Sequence, residues 1–145
     1  MAIEDEYEPS AWDWVAKQVD EIESSGGTTG LTLQGKPVVV VSMRGRRSGK
    51  VRKAALMRVE HDGRYAHVAS KGGDPSHPGW YHNIVADPDV VLQDGTTVQD
   101  MRAREVEGDE RAEWWDRAVR AWPAYADYQT KTDRTIPVLV LEPVG

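Results

Sequence analysis

The chain has 145 residues, a length that suits one domain with its own hydrophobic core. It contains no cysteine, which excludes disulfide bonds and thiolate metal sites, and its net charge of −6 argues against a general nucleic-acid-binding protein. The first residues are acidic and lack the apolar stretch of a secretory signal, and no apolar run approaches the roughly 20 residues of a membrane span. We therefore expect a cytoplasmic protein.

The first predicted element is an amphipathic helix over residues 10–24, with Ser10 as its N-cap. Apolar residues recur along it at helical spacing: Trp12, Val15, Val19 and Ile22. Gly26 and Gly27 follow and end it. We assign residues 1–145 to a single domain, in which residues 1–27 form a helical extension and residues 28–145 form the core.

The middle of the chain alternates short apolar segments with turn signals. Residues 28–35 are predicted as a loop or a short extended piece. Strands are predicted over residues 37–43, 53–60, 64–70, 89–93, 96–105 and 136–141. The sequences His61-Asp62-Gly63 and Asp94-Gly95 are typical of hairpin turns between consecutive strands.

Two further helices are predicted, over residues 80–86 and 109–122, and Pro123 stops the second. The longer helix places five residues at core spacing: Ala112, Trp115, Ala118, Val119 and Trp122. Because hairpins dominate and helices do not regularly separate the strands, we expect an α+β domain. Its antiparallel strands would form a small barrel-like sheet with an N-terminal, a short central and C-terminal helices at its edges.

A basic segment at residues 44–53 has the most distinctive composition of the chain. Six of its ten residues are basic and none is acidic, whereas the rest of the chain carries a charge of −12. Gly45 and Gly49 allow a tight turn that exposes amide groups, and arginine forks match phosphate oxygens. The spacing is not that of a Walker A loop. The segment predicts a site for a small anionic ligand such as a phosphate, with a solvated basic hairpin as the alternative.

Two other segments concentrate polar and aromatic residues. Residues 70–83 form a loop rich in glycine and proline that leaves a strand and closes on a short helix, and such loops often carry binding functions. It holds His77 and His82, but no carboxylate accompanies them at helical spacing, so no metal site is predicted. Tyr125 and Tyr128 share a helical face, which is typical of a hydrophobic core and also suits a pocket with phenol donors.

These segments, in this order, resemble the deazaflavin-dependent nitroreductase family of actinobacteria, and the similarity extends over residues 35–143. It is carried by Gly-Arg-Arg-Ser-Gly-Lys-x-Arg at 45–52, Ala-Ser-Lys-Gly-Gly at 69–73, His-Pro-x-Trp-Tyr-His-Asn at 77–83, Asn-x-x-Ala-x-Pro at 83–88, Pro-x-Tyr-x-x-Tyr-Gln at 123–129 and Thr-x-Arg-x-Ile-Pro-Val at 132–138. The resemblance implies a split β-barrel of the FMN-binding type. It also implies hydride transfer from the reduced 8-hydroxy-5-deazaflavin coenzyme F420 to a quinone, a nitroaromatic or a conjugated enone.

The resemblance also implies which residues form the coenzyme site. The phosphate and acidic tail would be held by Arg47, Ser48, Gly49, Arg52 and Lys53. The ring system, the ribityl chain and the rest of the cleft would be contacted by Met57, Arg58, Ala69, Ser70, Lys71, Gly72, His77, Pro78, Trp80 and Asn83. The acceptor pocket would be lined by Met57, Trp122, Tyr125 and Tyr128. The candidate catalytic residues, for orienting the acceptor or relaying a proton, would be Tyr125, Tyr128 and Ser70.

Two positions depart from the family members that reduce nitro compounds. Trp122 stands in place of a tyrosine, and Met57 in place of a hydroxylated aromatic residue. Both changes make the acceptor pocket more apolar, which favours a quinone or an enone over bicyclic nitroimidazoles. The predicted first helix is acidic, so attachment to the periphery of an anionic membrane is a weaker alternative to a purely cytoplasmic location.

Other functions stay open. The domain could bind a coenzyme, haem or fatty acid without catalysis, or it could use FMN in the same type of barrel. A nucleic-acid function is disfavoured because no aromatic residues are interleaved with the basic ones. We expect a homodimer, because exposed hairpins and split barrels often pair.

Overall fold

The computed structural model describes residues 13–33, 35–70 and 77–144. The four helices are α1 (Asp13–Ser24), α2 (Gly79–Ala86), α3 (Gly108–Ala121) and α4 (Ala124–Thr130). The strands are β1 (Thr32–Leu33), β2 (Lys36–Arg44), β3 (Val51–Met57), β4 (Glu60–His61), β5 (Arg64–Val68), β6 (Asp89–Asp94), β7 (Thr97–Glu105) and β8 (Val138–Pro143). Within these ranges, no helix combines the length and the apolar composition that crossing a bilayer requires.

All strands belong to one antiparallel sheet with the order β3-β2-β6-β7-β8-β5-β4, and β1 pairs with the start of β2. Tight turns join consecutive partners, as the turn signals predict. In the turn between β4 and β5, Asp62 and Gly63 both have positive φ angles, 53° and 79°. A two-residue hairpin turn of this kind matches the right-handed twist of the flanking strands, which explains why this dipeptide stands there.

The two edges of the sheet meet at one bend, formed by Arg58 and Val59 between β3 and β4. The amide of Arg58 donates to the carbonyl oxygen of Pro37 on β2, and the carbonyl oxygen of Val59 accepts from the amide of Ala66 on β5, both at 2.9 Å. Consecutive residues thus bond to opposite edges of the sheet and close it into a barrel. Before the bend, β3 pairs only with β2 in the described part of the chain, so the barrel is split between β3 and β5. The split barrel is therefore confirmed.

Side chains alternate between the inside and the outside of the barrel, as strand geometry requires. The interior is filled mainly by Val39, Val41, Met43, Tyr65, Leu92, Met101, Leu139 and Leu141. Helix α2 contributes Ile84 to this interior cluster. Helix α1 packs Val19 and Ile22 on the outer face of β2, and α3 and α4 cover the outer faces of β5 and β8.

Helix α1 ends where predicted, and its connection to the barrel explains one glycine. Gly27 has φ 86°, and a Cβ atom there would lie 1.8 Å from the carbonyl oxygen of Gly95 in the β6–β7 turn. Only glycine fits both the backbone conformation and this close approach. Val19 and Ile22 are almost fully buried, so α1 is part of the packed core rather than a loose extension. The predicted helix start at Ser10 and the core position Trp12 lie outside the described residues.

Two predictions of local structure need correction. The strand predicted at residues 53–60 spans Val51–Met57, because the chain must bend at Arg58 to close the barrel. On helix α3 the predicted core residue Ala112 is exposed, and Trp114, which was not predicted, is only 2% exposed. The prediction of Ala118 is correct, and Trp115, Val119 and Trp122 pack half-buried against the same core cluster. Docking against β5 and β8 buries Trp114 more fully than Trp115.

Candidate functional site

In the described residues β3 and β5 do not pair with each other, so a gap between them, called the groove below, starts at the Arg58–Val59 bend and extends toward the opposite, open end of the barrel. Because neighbouring strands run antiparallel, that open end carries the loop between β2 and β3 and the carboxyl end of β5. Residues 52–57 of β3 are all half-buried, as expected for an edge strand that lines a groove. The elements that carry the predicted site residues therefore surround one side of the barrel.

The loop between β2 and β3 is held by its own backbone. The amide of Gly45 donates to the carbonyl oxygen of Lys50 at 2.8 Å, and the amide of Gly49 donates to that of Gly45 at 2.9 Å. Gly49 has φ 72°, which favours glycine, and a Cβ atom on Gly45 would come within 3.0 Å of Ser48 Oγ. The side chains of Arg47 and Ser48 are exposed at the tip of this loop.

Helix α2 supports the same loop through its polar side chain Asn83. Asn83 Oδ1 accepts from the amide of Arg46 at 3.1 Å, and the Arg44 guanidinium lies 3.9 Å from the Asp87 carboxylate just beyond the helix. Arg44 Nη1 also donates to the carbonyl oxygen of Gly49 at 2.8 Å. Asn83, predicted as a coenzyme ligand, therefore has a structural contact that orients the basic loop.

The predicted phosphate-binding residues divide into separate groups. Arg47, Ser48 and Gly49 lie together in the loop. The side chain of Arg52 points from β3 toward Gly45, and its Cγ atom would lie 3.2 Å from a Cβ atom on Gly45. Lys53 leaves on the opposite face, where its Nζ lies 2.5 Å from Glu23 Oε2 of α1. Helix α1 thus offsets the charge of one cation of the basic segment.

Met57 and Arg58 lie at the closed end of the groove. Met57 packs against both the α1 cluster and the cluster under α3 and α4. Arg58 Nε is 3.0 and 2.9 Å from the two carboxylate oxygens of Asp94, and the Tyr65 hydroxyl donates to Asp94 Oδ2 at 2.6 Å. Burial and this hydrogen bond raise the pKa of Tyr65 to about 12. The guanidinium of Arg58 is therefore engaged in closing the barrel.

Ser70 lies at the open end, just past β5, on a backbone that is fixed at several points. Ala69 and Ser70 are buried, at 0% and 7% exposed. The amide of Ala69 donates to the carbonyl oxygen of Pro137 at 2.9 Å, and the guanidinium of Arg134 donates to the carbonyl oxygens of Ala69 and Ser70 at 3.1 and 2.8 Å. The predicted ligands Lys71 and Gly72 lie outside the described residues.

His77, just before α2, and two residues of its first turns form a group of rings in tilted and edge-on contact. His77 lies with its ring centroid 4.6 Å from that of Tyr81 and 5.7 Å from that of His82. Burial, followed by the charge of Arg134, lowers the pKa of His77. Pro78 is buried and directly precedes α2, and Trp80 packs on the barrel interior. No group of three histidine or carboxylate side chains capable of holding a metal ion occurs in the described ranges.

The aromatic residues of the predicted acceptor pocket lie together. Tyr125 and Tyr128 of α4 have ring centroids 6.2 Å apart at an angle of 74°. Met57, Trp122 and Tyr128 are half-buried and pack on one cluster that includes Tyr125. Burial, with a smaller effect of Tyr128, raises the pKa of Tyr125 well above its ordinary value, so its phenol stays neutral. Lys131 Nζ lies 5.7 Å from the centroid of the Tyr128 ring.

Sequence reasoning assigned no site role to three residues. Arg134 and Gln129 both lie within the motifs that carry the resemblance, and this membership was the available signal. In the structure Gln129 Nε2 donates to the Arg134 carbonyl oxygen at 2.8 Å. Nothing in the sequence indicated a role for His67, because it lies within a predicted strand where inward and outward side chains simply alternate. Its ring is fully buried, lies 6.3 Å from that of Trp80 and has no hydrogen-bond partner for either nitrogen within the described structure.

The chain matches the model of a family described as F420H(2)-dependent quinone reductase over residues 14–143. An F420H(2)-dependent quinone reductase of Mycobacterium tuberculosis (strain ATCC 25618 / H37Rv) is 34% identical over 125 residues, which cover 81% of each chain.

Solved structures agree with this family match. The structure of an F420-H2 dependent reductase (FDR-A) is 58% identical, covers 73% of this chain and 94% of that chain, and has a TM-score of 0.70. A structure described as a domain-swapped dimer is 53% identical, covers 92% of this chain and 100% of that chain, and has a TM-score of 0.73.

A haem-binding protein from Mycobacterium smegmatis, 16% identical with a TM-score of 0.59, covers 83% of this chain and 50% of that chain and shares the fold alone. The family match, by contrast, extends over nearly the whole chain, and the F420-H2 dependent reductase shares both sequence and fold with it. The chain belongs to the F420H(2)-dependent quinone reductase family.

Proposed function

We propose that the protein binds reduced coenzyme F420 in the groove between β3 and β5 and catalyses the transfer of its hydride to a quinone. The single observation that carries this placement is that the basic loop leads into β3, Ser70 follows β5, and the aromatic residues of α4 pack on a cluster with Met57 of β3 and Val68 of β5. A coenzyme with an anionic tail and a flat ring needs both a charged and an apolar surface, and this groove offers both.

The residues at the open end fit the anionic part of the coenzyme. Arg47 and Ser48 supply a guanidinium and a hydroxyl at the exposed loop, whose turn Gly49 allows, and phosphate oxygens accept from such donors. Arg52 adds charge on the adjoining strand, whereas the charge of Lys53 is offset by Glu23 on the opposite face. When bound, the reduced deazaflavin supplies the hydride, and the protein supplies position and electrostatics.

The residues of the acceptor side fit a quinone. Met57 and Trp122 present apolar surface, and Tyr125 and Tyr128 carry phenols beside it. Reduction of a quinone to a hydroquinone by hydride adds two electrons and one hydrogen nucleus, so one more proton must reach the second oxygen. We assign that donation to Tyr128, because it is half-buried and can recover a proton from solvent, whereas Tyr125 is enclosed. Ser70 is proposed to orient the acceptor.

The experiment is a fluorescence titration of the purified protein with F420, followed by absorbance assays of the reduced coenzyme with a naphthoquinone, a nitroaromatic and an enone. We expect saturable binding and oxidation that is fastest with the quinone. Binding without oxidation by any acceptor would instead indicate a carrier protein. Binding of FMN but not F420 would move the protein to flavin chemistry.

Assembly, domain organisation and location are proposals of the same kind. A homodimer is supported by the solved relative described as a domain-swapped dimer, and light scattering coupled to size-exclusion chromatography tests it.

A single domain over residues 1–145 is supported by the packing of α1 on the barrel, and one cooperative unfolding transition is expected. A cytoplasmic location is supported by the acidic composition, and cell fractionation tests it.

A further inference from the structure

One side chain, Arg134, bonds the backbone just before residues 71–76 and the imidazole of His77 just after them. Its Nη2 donates to the carbonyl oxygen of Ser70 at 2.8 Å, and its Nη1 donates to the carbonyl oxygen of Ala69 at 3.1 Å. The same Nη1 lies 2.9 Å from Nδ1 of His77, the first described residue after the segment. A single planar group therefore fixes the distance between Ser70 and His77.

The position of Arg134 is itself set by α4. Gln129, near the end of that helix, donates from Nε2 to the carbonyl oxygen of Arg134 at 2.8 Å, and its Oε1 accepts from the amide of Ile136 at 3.0 Å. The side-chain amide thus clamps the chain on both sides of Thr135, directly after Arg134. Because α4 also carries Tyr125 and Tyr128, the clamp joins the acceptor side of the groove to Ser70 and His77.

The contact between Arg134 and His77 also decides where the proton of the imidazole lies. A guanidinium can only donate hydrogen bonds, so His77 Nδ1 must accept. The neutral ring then carries its proton on Nε2 and presents an N–H donor there. The rings of Tyr81 and His82, in tilted and edge-on contact with His77, restrict its rotation.

We propose that Arg134 is a positioning residue for hydride transfer: it holds Ser70 and His77 in one arrangement and keeps His77 as an Nε2–H donor. The inference rests on the proposed function, because Ser70 and His77 are expected to border the coenzyme. Lysine cannot replace arginine here, since one ammonium nitrogen cannot reproduce a planar fork that reaches three acceptors.

The first test needs no coenzyme. Nitrogen NMR of the histidine rings, with the His77 signals assigned from a His77→Gln variant, reports the tautomer of His77 directly. We expect the Nε2–H tautomer in the wild type and a mixture of both tautomers in Arg134→Lys. An Nδ1–H tautomer in the wild type, or an unchanged ring in the variant, would overturn the proposal.

The second test separates positioning from stability with a matched control. Arg111 is another half-buried arginine, and its Nη2 donates to the carbonyl oxygen of Ile136 at 2.7 Å in the same connection, but it lies over the Trp115 ring. We expect Arg134→Lys to lower kcat/KM for a naphthoquinone at least tenfold and Arg111→Lys to change it less than twofold, at a temperature where thermal melts show both folded. If Arg134→Lys and Arg111→Lys lose the same melting temperature and have equal kcat/KM, the role of Arg134 is only structural.

The two tests also separate this inference from the function on which it rests. If the wild type neither binds F420 nor oxidises its reduced form, the proposed function fails and with it the role in hydride transfer. The NMR result would then still decide whether Arg134 sets the state of His77. If the wild type is active and Arg134→Lys retains full kcat/KM, the function stands and the positioning role is wrong.

Discussion

The amide of Arg46 donates to Asn83 Oδ1 at 3.1 Å, across a separation of 37 residues in the chain. This bond connects the basic loop to α2, so the loop that we expect to bind the coenzyme phosphate is oriented from outside its own hairpin. An anion site that is already ordered before binding loses less entropy when the ligand arrives. The consequence is that a residue with no direct anion contact can still control coenzyme affinity.

Replacement of Asn83 tests that consequence. Asn83→Ala removes one hydrogen bond, worth about 1 kcal/mol, and we expect the coenzyme dissociation constant to rise about fivefold with little change in saturated turnover. Asn83→Asp is the matched control, since it keeps the acceptor and adds negative charge. Its loss of affinity should vary strongly with salt, whereas that of Asn83→Ala should not. Equal salt dependence in fluorescence titrations of both variants would contradict the role assigned to this bond.

Charge reversal in the basic segment should separate binding from turnover. We expect Arg47→Glu and Arg52→Glu each to raise the F420 dissociation constant at least tenfold at low salt and to leave kcat at saturation nearly unchanged, because the phosphate end lies away from the reacting ring. Arg102 is a suitable control, as it is exposed on β7 and lies 3.5 Å from Asp89. Arg102→Glu should bind as the wild type does. A lower kcat with unchanged affinity in Arg52→Glu would reverse this division of roles.

The proton donor can be identified by removing one phenol at a time. Tyr128→Phe should lower kcat for a quinone about tenfold or more, since general acid catalysis commonly contributes a factor of about 100 or more and water replaces part of it. Tyr125→Phe should retain more activity, because its phenol is enclosed. Coenzyme affinity should stay within about twofold in both variants. Steady-state assays in H2O and D2O measure the effect, and full activity of Tyr128→Phe would assign protonation to solvent.

His67 should make the protein sensitive to acid. Burial lowers its pKa from 6.5 to about 3, so between these values the unfolded state binds a proton that the folded state does not. Stability contributed by this group is therefore complete above pH 6.5 and falls as the pH drops toward 3, by about 1.4 kcal/mol per pH unit.

Urea unfolding between pH 7 and pH 4 measures this dependence in three proteins. His67→Leu should lose less stability on acidification than the wild type, whereas His61→Gln, at an exposed histidine 3.2 Å from Asp62, should follow the wild type. The carboxylates contribute similarly to all three proteins, so the difference between them isolates His67. If the free energy of unfolding fell equally with pH in His67→Leu and the wild type, protonation of His67 would not destabilise the folded protein.

Local patterns predicted the elements well where turn chemistry was explicit. Asp62-Gly63 marked its hairpin and Pro123 marked the end of α3, because these residues restrict the backbone whatever surrounds them. The bend at Arg58 and the full burial of Trp114 were not predicted. Both depend on how the sheet closes and where a helix docks, and those are tertiary properties that a local pattern does not contain.

The site was predicted unevenly for the same reason. The basic loop and the aromatic residues of α4 were recognised from composition and resemblance; in the structure the loop leads into β3, and the aromatic residues pack on a cluster with residues of β5. The ties between Arg46 and Asn83, and between Arg134 and Ser70, join residues far apart in the chain. No spacing rule relates such residues, so only the folded chain reveals that Arg134 orders the backbone at Ser70.

The most direct test of the proposed function is a single-turnover experiment in which the protein, loaded with reduced F420, is mixed with a naphthoquinone and followed by the absorbance of the oxidised coenzyme. We expect one coenzyme to be oxidised per site, at a rate that saturates with quinone and falls at least tenfold in Tyr128→Phe. Tight binding of the reduced coenzyme with no oxidation by the quinone would contradict the assignment of this protein as a quinone reductase.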